Sequence, residues 1–422
     1  MRLSIPTPPV AARLLAVALA VIAPLGAQPV AGQGAAIAQG SATSKGPGIE
    51  RRAIGSQAGR GWSAALVVEE GQLVHTATFS PVDAGGRLVA TDATAQAIRV
   101  LDDMDAALRV VGSNLGQLAR LHVYVADASV TPAVDTVLAK RFGANHAPAL
   151  TIVETRMPRE GVLVVMDAVA VTARKAPTGR PERLVLPRLP KNAGDAAHVA
   201  VQPAGPFVIV SGRAAQGDFE AAVRGTMDQL RGDLKTVGLG FEHAVHVKAF
   251  LGDMTRADDL RRVVATTFEG VAPPIVVTEW RRSGAPAEIE LVATAPGATD
   301  PTQRVAFVEP ISARYSRVAR IFTGRPIFIS GLAGRSADPA TQVREIFADL
   351  RTVLAAAGSD IRHVPKATYY VADQVADAEF NTLRPTIYDP NRPPAASKIS
   401  VQGTGRAGTV TVVDFIAVTV DR

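Results

Sequence analysis

The chain has 422 residues, of which 47% are hydrophobic and 20% are charged, with 36 Gly and 29 Pro. This apolar content is enough for several hydrophobic cores and excludes a chain that is disordered throughout. The formal charge of +6 is small for this length and the arginines are scattered, so we expect no nucleic-acid partner. The absence of cysteine excludes disulfides and thiolate catalysis.

The first 27 residues have the layout of a signal peptide. Arg2 and Arg13 precede the apolar run 14–23, and small residues lead to a cleavage position at Ala27. Such a run has about half the length that a transmembrane helix needs. We therefore expect a cleaved signal peptide, no stable membrane anchor, and a periplasmic or secreted protein. An uncleaved anchor or a misassigned start codon is the alternative.

The next segments separate into linkers and domains by composition. Residues 28–60 are rich in Gly, Ala, Ser and Gln without periodicity, which predicts a flexible linker. Residues 61–173 form the first predicted domain. Residues 174–196 are rich in Pro and Arg, which predicts a second linker with polyproline character. Residues 197–297 and 298–422 are the second and third predicted domains.

In the first domain, hydrophobic periodicity predicts two helices and five strands. Segments 62–68 and 72–79 are expected to form a hairpin that turns at Gly71. The remaining elements, in chain order, are a helix near 95–111, a strand near 121–125, a helix at 131–142 and strands at 149–155 and 162–172.

The same order of elements returns twice. Val111, Val237 and Ala357 end the three long helices at a spacing of about 120 residues, the length of a domain. A glycine follows each helix, where the chain needs a left-handed residue. The strands that come next alternate apolar with polar residues, as in Leu121-His122-Val123-Tyr124, so their two faces must meet different surroundings. Each unit is predicted to be an α+β domain with two helices packed on one mixed sheet.

The order of the short motifs resembles the RidA family, also called the YjgF family. The matching pieces include IVSG at 209–212 and FISG at 328–331, GSNLGQLARLHVYVAD and GSDIRHVPKATYYVAD, HAPALTIVET, VAPPIVVTEW and RPPAASKISV, and the closing strands VVMDAVAV, EIELVATA and VVDFIAVT. Each motif is short, and their repeated order carries the resemblance. Members of that family form homotrimers with a cleft at each subunit interface. The resemblance therefore implies three RidA-like domains that form an intramolecular pseudo-trimer, monomeric in solution.

The resemblance also implies which residues would line the clefts. The family hydrolyses enamines and imines with an arginine that grips the substrate carboxylate and a glutamate that positions water. The arginine position is occupied here by Leu150, Ile275 and Ala396, and none of these side chains binds a carboxylate. The glutamate position reads Val165, Glu288 and Val412, so Glu288 is the candidate catalytic residue.

Three further residues fall on the strand whose end lines the cleft in relatives. Ser211 and Ser330 belong to the two Ser-Gly motifs, and Arg213 follows the first of them. Arg213 is the candidate for replacing the missing arginine, although a surface position is the simpler expectation.

Two functions remain open, with a third as a remote alternative. The first is a diverged member that binds small molecules in interface clefts without catalysis. The second is an imine or enamine hydrolase of altered specificity that uses Glu288. The third is a ribonuclease, for which the sequence offers no His or Lys constellation.

No cofactor or metal is expected. Residues 403–408 match the spacing G-x-G-x-x-G, but a strand follows them where a dinucleotide site needs a helix, so a glycine-rich hairpin turn is preferred. His243 and His246 lie on opposite faces of a strand and lack a third ligand nearby.

Overall fold

A computed structural model of the protein describes residues 40–56, 59–143, 146–177, 179–297, 300 and 302–420. The predicted signal peptide, residues 1–27, lies outside these ranges. Within them, no helix combines the length and apolar character that a membrane crossing requires. The fold is α+β, as predicted, with mixed sheets and a small number of helices.

The elements follow one another in three sets. The first set is β1 Ser41–Gly46, β2 Ile49–Ile54, β3 Ala65–Glu70, β4 Gln72–Thr76, α1 Ala93–Val110, β5 Leu118–Val125, α2 Thr131–Arg141, β6 Ala149–Glu154 and β7 Val164–Thr172. The second is β8 Glu182–Leu184, β9 Val199–Val201, β10 Phe207–Arg213, α3 Phe219–Thr236, β11 Ala244–Leu251, α4 Ala257–Ala265, β12 Ile275–Glu279 and β13 Ala287–Thr294. The third is β14 Val305–Ser312, β15 Tyr315–Ile321, β16 Pro326–Ala333, α5 Pro339–Ala357, β17 Lys366–Val371, α6 Gln374–Ile387, β18 Ala395–Ser400 and β19 Thr411–Val418.

Four strands in each set share one pairing pattern. The orders are β4-β7-β5-β6 in the first strand group, β10-β13-β11-β12 in the middle strand group and β16-β19-β17-β18 in the last strand group. The final pair of each group is parallel and the other pairs are antiparallel. Two helices pack on one face of each group and bury the apolar stripe that the periodicity predicted.

The long helices end as the sequence indicates. Gly112, Gly238 and Gly358 have φ angles of 71°, 75° and 79°, in the left-handed region. A residue with a Cβ is strained there, so glycine is the favoured stop signal.

The predicted hairpin between 62–68 and 72–79 is wrong in its pairing. Strands β3 and β4 both form, but β3 pairs with β2 and β16, whereas β4 pairs with β7 and β9. The chain turns a corner at Gly71, where φ is 119° and a Cβ would lie 2.4 Å from Val171 Cγ1. A corner of this kind sends the two strands into different sheets.

The same corner occurs in the other sets. Gly205 lies between β9 and β10 with a φ of 118°, and Gly324 lies between β15 and β16 with a φ of 99°. Strand β9 pairs with β4 of the first group, and β15 pairs with β10 of the middle group. In each set, the strand before the corner glycine therefore pairs with a neighbouring strand group. Strand β3 pairs with the last group, β9 with the first and β15 with the middle.

The predicted flexible linker at 28–60 is wrong for its second half. Strands β1 and β2 form an antiparallel pair there, and β2 continues into the sheet through β3. Arg51 of β2 is 2% exposed and donates a 2.6 Å hydrogen bond from Nη1 to the carbonyl oxygen of Leu118. Composition missed these strands because β1 is polar and β2 has three consecutive charged residues, so neither shows an apolar alternation.

The faces of the strand groups opposite the helices pack together in the middle of the molecule. One apolar cluster there includes Leu66, Phe207 and Phe328, and a second includes Tyr124, Phe250 and Tyr370. Polar and charged residues lie between the two clusters. This arrangement explains the unlike faces predicted for the strands: one meets helices, and the other meets neighbouring strand groups.

Candidate functional site

Two serine hydroxyls join strands from different groups. Ser211 Oγ on β10 donates to the carbonyl oxygen of Ser316 at 2.6 Å and accepts from the backbone N–H of Ala396 at 2.8 Å. Ser330 Oγ on β16 makes the matching contacts with Ser63 at 2.5 Å and Leu150 at 2.7 Å. Each serine therefore forms a hydrogen bond with another strand group, at the residue that occupies the arginine position predicted from the family resemblance.

Glu288 on β13 lies beside the first of these junctions. A Cβ on Gly212 would lie 2.0 Å from Glu288 Oε1, so the glycine leaves the space that the carboxyl group occupies. Burial raises the pKa of Glu288 to about 7; a hydrogen bond with Ser397 acts in the opposite direction, and the charge of Glu290 raises it further. A carboxyl group with this pKa can hold or release a proton near neutral pH.

The residue opposite Glu288 is not Ile275. Ile275 pairs with Val247 within its own strand group, and its side chain lies in the core under the helices. The arginine position that forms a hydrogen bond with Ser211 is Ala396, which belongs to the last strand group. The sequence-based placement of Ile275 in the same cleft as Glu288 is therefore wrong, because the cleft forms between groups.

Arg213 forms an ion pair with Asp233. Its Nε lies 2.7 Å from Asp233 Oδ2, and its Nη2 donates to Oδ1 of the same carboxylate. The Asp233 side chain is 4% exposed, so this two-pronged pair is largely shielded from water. Arg213 does not replace the missing arginine in this conformation.

The junction around Ser330 is filled by apolar atoms. A Cβ on Gly331 would lie 2.6 Å from Val412 Cγ2 and 3.0 Å from Thr151 Cγ2. Val412 and Val165, which occupy the glutamate position, both belong to the apolar cluster around Tyr124 and Tyr370. Valine at these two glutamate positions thus adds to the apolar cluster around Tyr124 and Tyr370.

A cavity of about 100 Å³ opens between the first and middle strand groups, beside Val165 and Thr78. Thr78 Oγ1 is buried and has no hydrogen-bond partner in the described part of the chain. The charged residues of the lining are Asp103, Arg156, Arg159, Lys191, Asp258 and Arg261. The cavity therefore has four cationic side chains and two carboxylates in its lining, and we call it the basic cleft.

The carboxylates of the basic cleft are already paired. Asp258 accepts from Arg261 at 2.9 Å and lies 3.4 Å from Arg159 Nη2, while Asp103 pairs with Arg99 at 2.8 Å. Arg156 is 64% exposed along its side chain, and its Nε is 3.8 Å from Glu279. Its guanidinium forms this long ion pair without a hydrogen bond to the described residues, so an anion in the cleft would compete with Glu279 for it.

Sequence reasoning missed a polar cluster in the middle of the molecule. His122 has Nδ1 3.2 Å from Asp167 and Nε2 3.2 Å from Asp414, and all three are nearly fully buried. The imidazole lies between the two carboxylates, and the Tyr124 hydroxyl also donates to Asp167 at 2.8 Å. The signal was present in the sequence, since polar residues recur at equal steps on the apolar strands β5, β11 and β17.

The described residues contain no group of three or more His, Asp or Glu side chains arranged to hold a metal. Residues 403–408 connect β18 to β19, which both pair with β17, so the predicted hairpin turn there is wrong. This loop packs on the first set instead: Thr131 Oγ1 donates to the carbonyl oxygen of Gly405 at 2.5 Å. A strand follows the loop, as predicted, and supplies no helix N-terminus for a dinucleotide.

Comparisons with known proteins agree on one family. The model of the family described as Endoribonuclease L-PSP matches residues 55–172 and 308–418, together more than half of the chain. A RutC family protein of Pyrococcus abyssi is 26% identical over 104 residues, which are 24% of this chain and 81% of that protein.

Two of the solved structures that match cover 29% and 27% of this chain. A YjgF family member from Neisseria meningitidis is 24% identical, covers 29% of this chain and 92% of its own, and has a TM-score of 0.22. A member of the conserved Rid protein family from Yersinia pestis is 23% identical, covers 27% and 88%, and has a TM-score of 0.24.

Proposed function

Since this chain belongs to the Endoribonuclease L-PSP family, known also as RidA or YjgF, we propose that it is a diverged member that binds a small anionic molecule. We further propose that its three sets of elements form a pseudo-trimer within one chain, which is exported and monomeric. The export proposal comes from the sequence of residues 1–27.

The exchange of strands supports the pseudo-trimer. Each set gives one strand to a neighbouring group through a corner glycine, and the three exchanges close a cycle: β3 on β16, β9 on β4 and β15 on β10. A closed cycle of heterologous contacts leaves no site for a further copy to join. Covalent linkage also raises the effective concentration of each set for the others.

The basic cleft supports the binding function. Its Val165 stands where the family has the acid, so the cleft lacks the group that would position water. Its lining has more cationic than acidic side chains, and Arg156 and Arg159 come from the loop that follows β6. This loop offers arginines to an anion, whereas Leu150 of the preceding strand contacts Ser330 at a different junction. A volume of about 100 Å³ holds roughly seven to ten water-sized groups, the size of a small organic acid.

The test is calorimetric titration of the full chain with butanoate, using butanamide as the neutral isostere. We expect butanoate to bind and butanamide to bind at least tenfold more weakly, because only the carboxylate gains charge-assisted hydrogen bonds. Arg156→Gln should weaken butanoate binding by about tenfold, whereas Arg188→Gln, an exposed arginine outside the cleft, should leave it unchanged. Equal affinities for the two ligands, or equal effects of the two variants, would count against the proposal.

A second function has one observation in its favour. Glu288 keeps the acid of the family, and its raised pKa suits a general base or acid at neutral pH. The proposed reaction is hydrolysis of imines that lack an α-carboxylate, since Ala396 supplies no cation for one. Imine hydrolysis by the wild-type protein and by Glu288→Gln tests this alternative. Activity that survives the substitution would exclude Glu288 as the catalytic residue.

A further inference from the structure

Three strands present matching residues to the middle of the molecule. At one level of β5, β11 and β17 the inward residues are Arg120, His246 and Lys366; two residues later they are His122, Lys248 and Thr368. The next level holds the rings of Tyr124, Phe250 and Tyr370. Two charged levels are therefore stacked on an aromatic one, between strand groups that come from distant parts of the chain.

A cavity of about 30 Å³ lies among these levels. Its polar lining consists of His75, Arg120, His122, His246, Lys248, Glu290, Lys366 and Thr368, and aliphatic residues complete it. We call it the axial cavity. Its volume corresponds to roughly two or three water-sized groups, so it admits a halide or nitrate ion and excludes the organic acids proposed for the basic cleft.

Arg120 is the least satisfied group in this lining. It is 8% exposed, and its guanidinium makes no hydrogen bond or ion pair with the described residues. It lies 5.5 Å from the ring of Phe328, a contact that orients it without neutralising it. His75 Nδ1 is also buried and without a partner, since its Nε2 is bonded to Gln202 at 3.0 Å.

The lining of the axial cavity has more cationic than acidic side chains. Its cations are Arg120, Lys248 and Lys366, and its carboxylate is Glu290. Burial lowers the pKa of Lys248. Glu290 is occupied already, because Lys366 Nζ and Ser397 Oγ both donate to its Oε2. Lys248 donates to Tyr370 at 2.6 Å, a neutral partner.

Two further buried carboxylates offset part of this positive charge from outside the lining. Asp167 and Asp414 lie on either side of His122, and their charges also act on Arg120 and Lys248. Burial lowers the pKa of His75 to about 4 and the pKa of His246 well below its usual value, so both rings are neutral at pH 7. No carboxylate of the described residues lies within ion-pair distance of Arg120, so its buried Nε has no direct partner, and a small anion in the cavity would supply one.

We propose that the axial cavity binds one small inorganic anion of the halide class, held by Arg120 and stabilising the junction of the three strand groups. The anion is a structural ligand, distinct in size and place from the molecule proposed for the basic cleft. Its binding adds to the stability of the folded chain by mass action.

The test uses the full chain in sodium gluconate, titrated with sodium chloride or bromide at constant ionic strength. The unfolding midpoint should rise by about 1–2 °C for each tenfold increase in halide above its dissociation constant, because the unfolding entropy of a chain this long is large. Arg120→Met should abolish the rise. Arg320→Met is the matched control, since Arg320 also has a buried unpartnered Nε and lies 5.4 Å from a phenylalanine ring, but outside the axial cavity.

Anomalous diffraction from crystals of the wild-type protein grown in bromide locates the ion independently of any variant. A bromide peak beside Arg120 supports the proposal even where Arg120→Met fails to fold. An axial cavity without a bromide peak, or a midpoint that follows chloride and gluconate equally, overturns it. An equal loss of the halide effect in Arg320→Met overturns it as well.

Discussion

Replacing Glu288 by glutamine should make the protein more stable at pH 8 and leave its stability nearly unchanged at pH 4.5. The carboxyl group sits against Gly212 and is desolvated, which raises its pKa to about 7 from an ordinary value of 4.5. Glutamine has the same shape and stays neutral at every pH. The comparison therefore isolates the cost of the negative charge.

The size and sign of the effect follow from linkage. An acid whose pKa is higher in the folded state contributes stability that is complete below pH 4.5 and is lost as the pH rises through about 7. The difference between the two values corresponds to about 3 kcal/mol at 1.36 kcal/mol per pH unit. This figure is an upper limit because the side chain is partly exposed. For a chain of this length it amounts to a difference in unfolding midpoint of up to about 4 °C at pH 8.

The assay is thermal unfolding of the wild-type protein and Glu288→Gln from pH 4.5 to pH 8, at constant ionic strength. The difference between their midpoints should grow with pH and level off above pH 7. Glu269→Gln serves as the control, because Glu269 is an exposed glutamate of the same region and its substitution should give a constant difference. A pH-independent difference for Glu288→Gln would refute the account of its environment.

Four other predictions follow from the fold. Gly71→Ala should destabilise the protein by about 1–3 kcal/mol in urea unfolding, because a Cβ there is both strained and obstructed, whereas Gly46→Ala, with open space around it, should have a far smaller effect. Arg213→Ala should cost about 3 kcal/mol by leaving Asp233 buried without its partner, with butanoate binding unchanged. Light scattering should find one chain per particle, and an obligate trimer of chains would contradict the pseudo-trimer. N-terminal sequencing of secreted protein should begin close to Gln28; an intact signal peptide in the cytoplasm would contradict export.

Local patterns in the sequence were sufficient for the two helices and four strands that the three sets have in common, and for their order. The helix at Ala93–Val110 and the strand at Leu118–Val125 lie where the periodicity predicts them, since periodicity records which face of an element is buried. The glycines after the long helices mark a backbone conformation that other residues avoid. The order of motifs was likewise enough to identify the family.

Pairing between strands was decided by the tertiary structure alone. The sequence predicts a hairpin at Gly71, a turn that fits both a hairpin and a corner, and the choice depends on β16, which lies far along the chain. Composition predicted a linker where β1 and β2 form, because their polar and charged residues hide the alternation of a strand. A strand gains most of its stability from its partners, and the partner is not encoded within the strand.

The site depended on the same distant contacts. Sequence reasoning identified Glu288 as the retained acid, but only the structure shows that Ala396, from another strand group, is the arginine position at its cleft. The structure also pairs Arg213 with Asp233 and places Arg120, Lys248 and Lys366 around one cavity. The sequence by itself determined which side chains each strand carries, because alternation is local. Which of them meet was determined by the packing of strand groups, because burial and charge interactions act through space between residues more than a hundred positions apart.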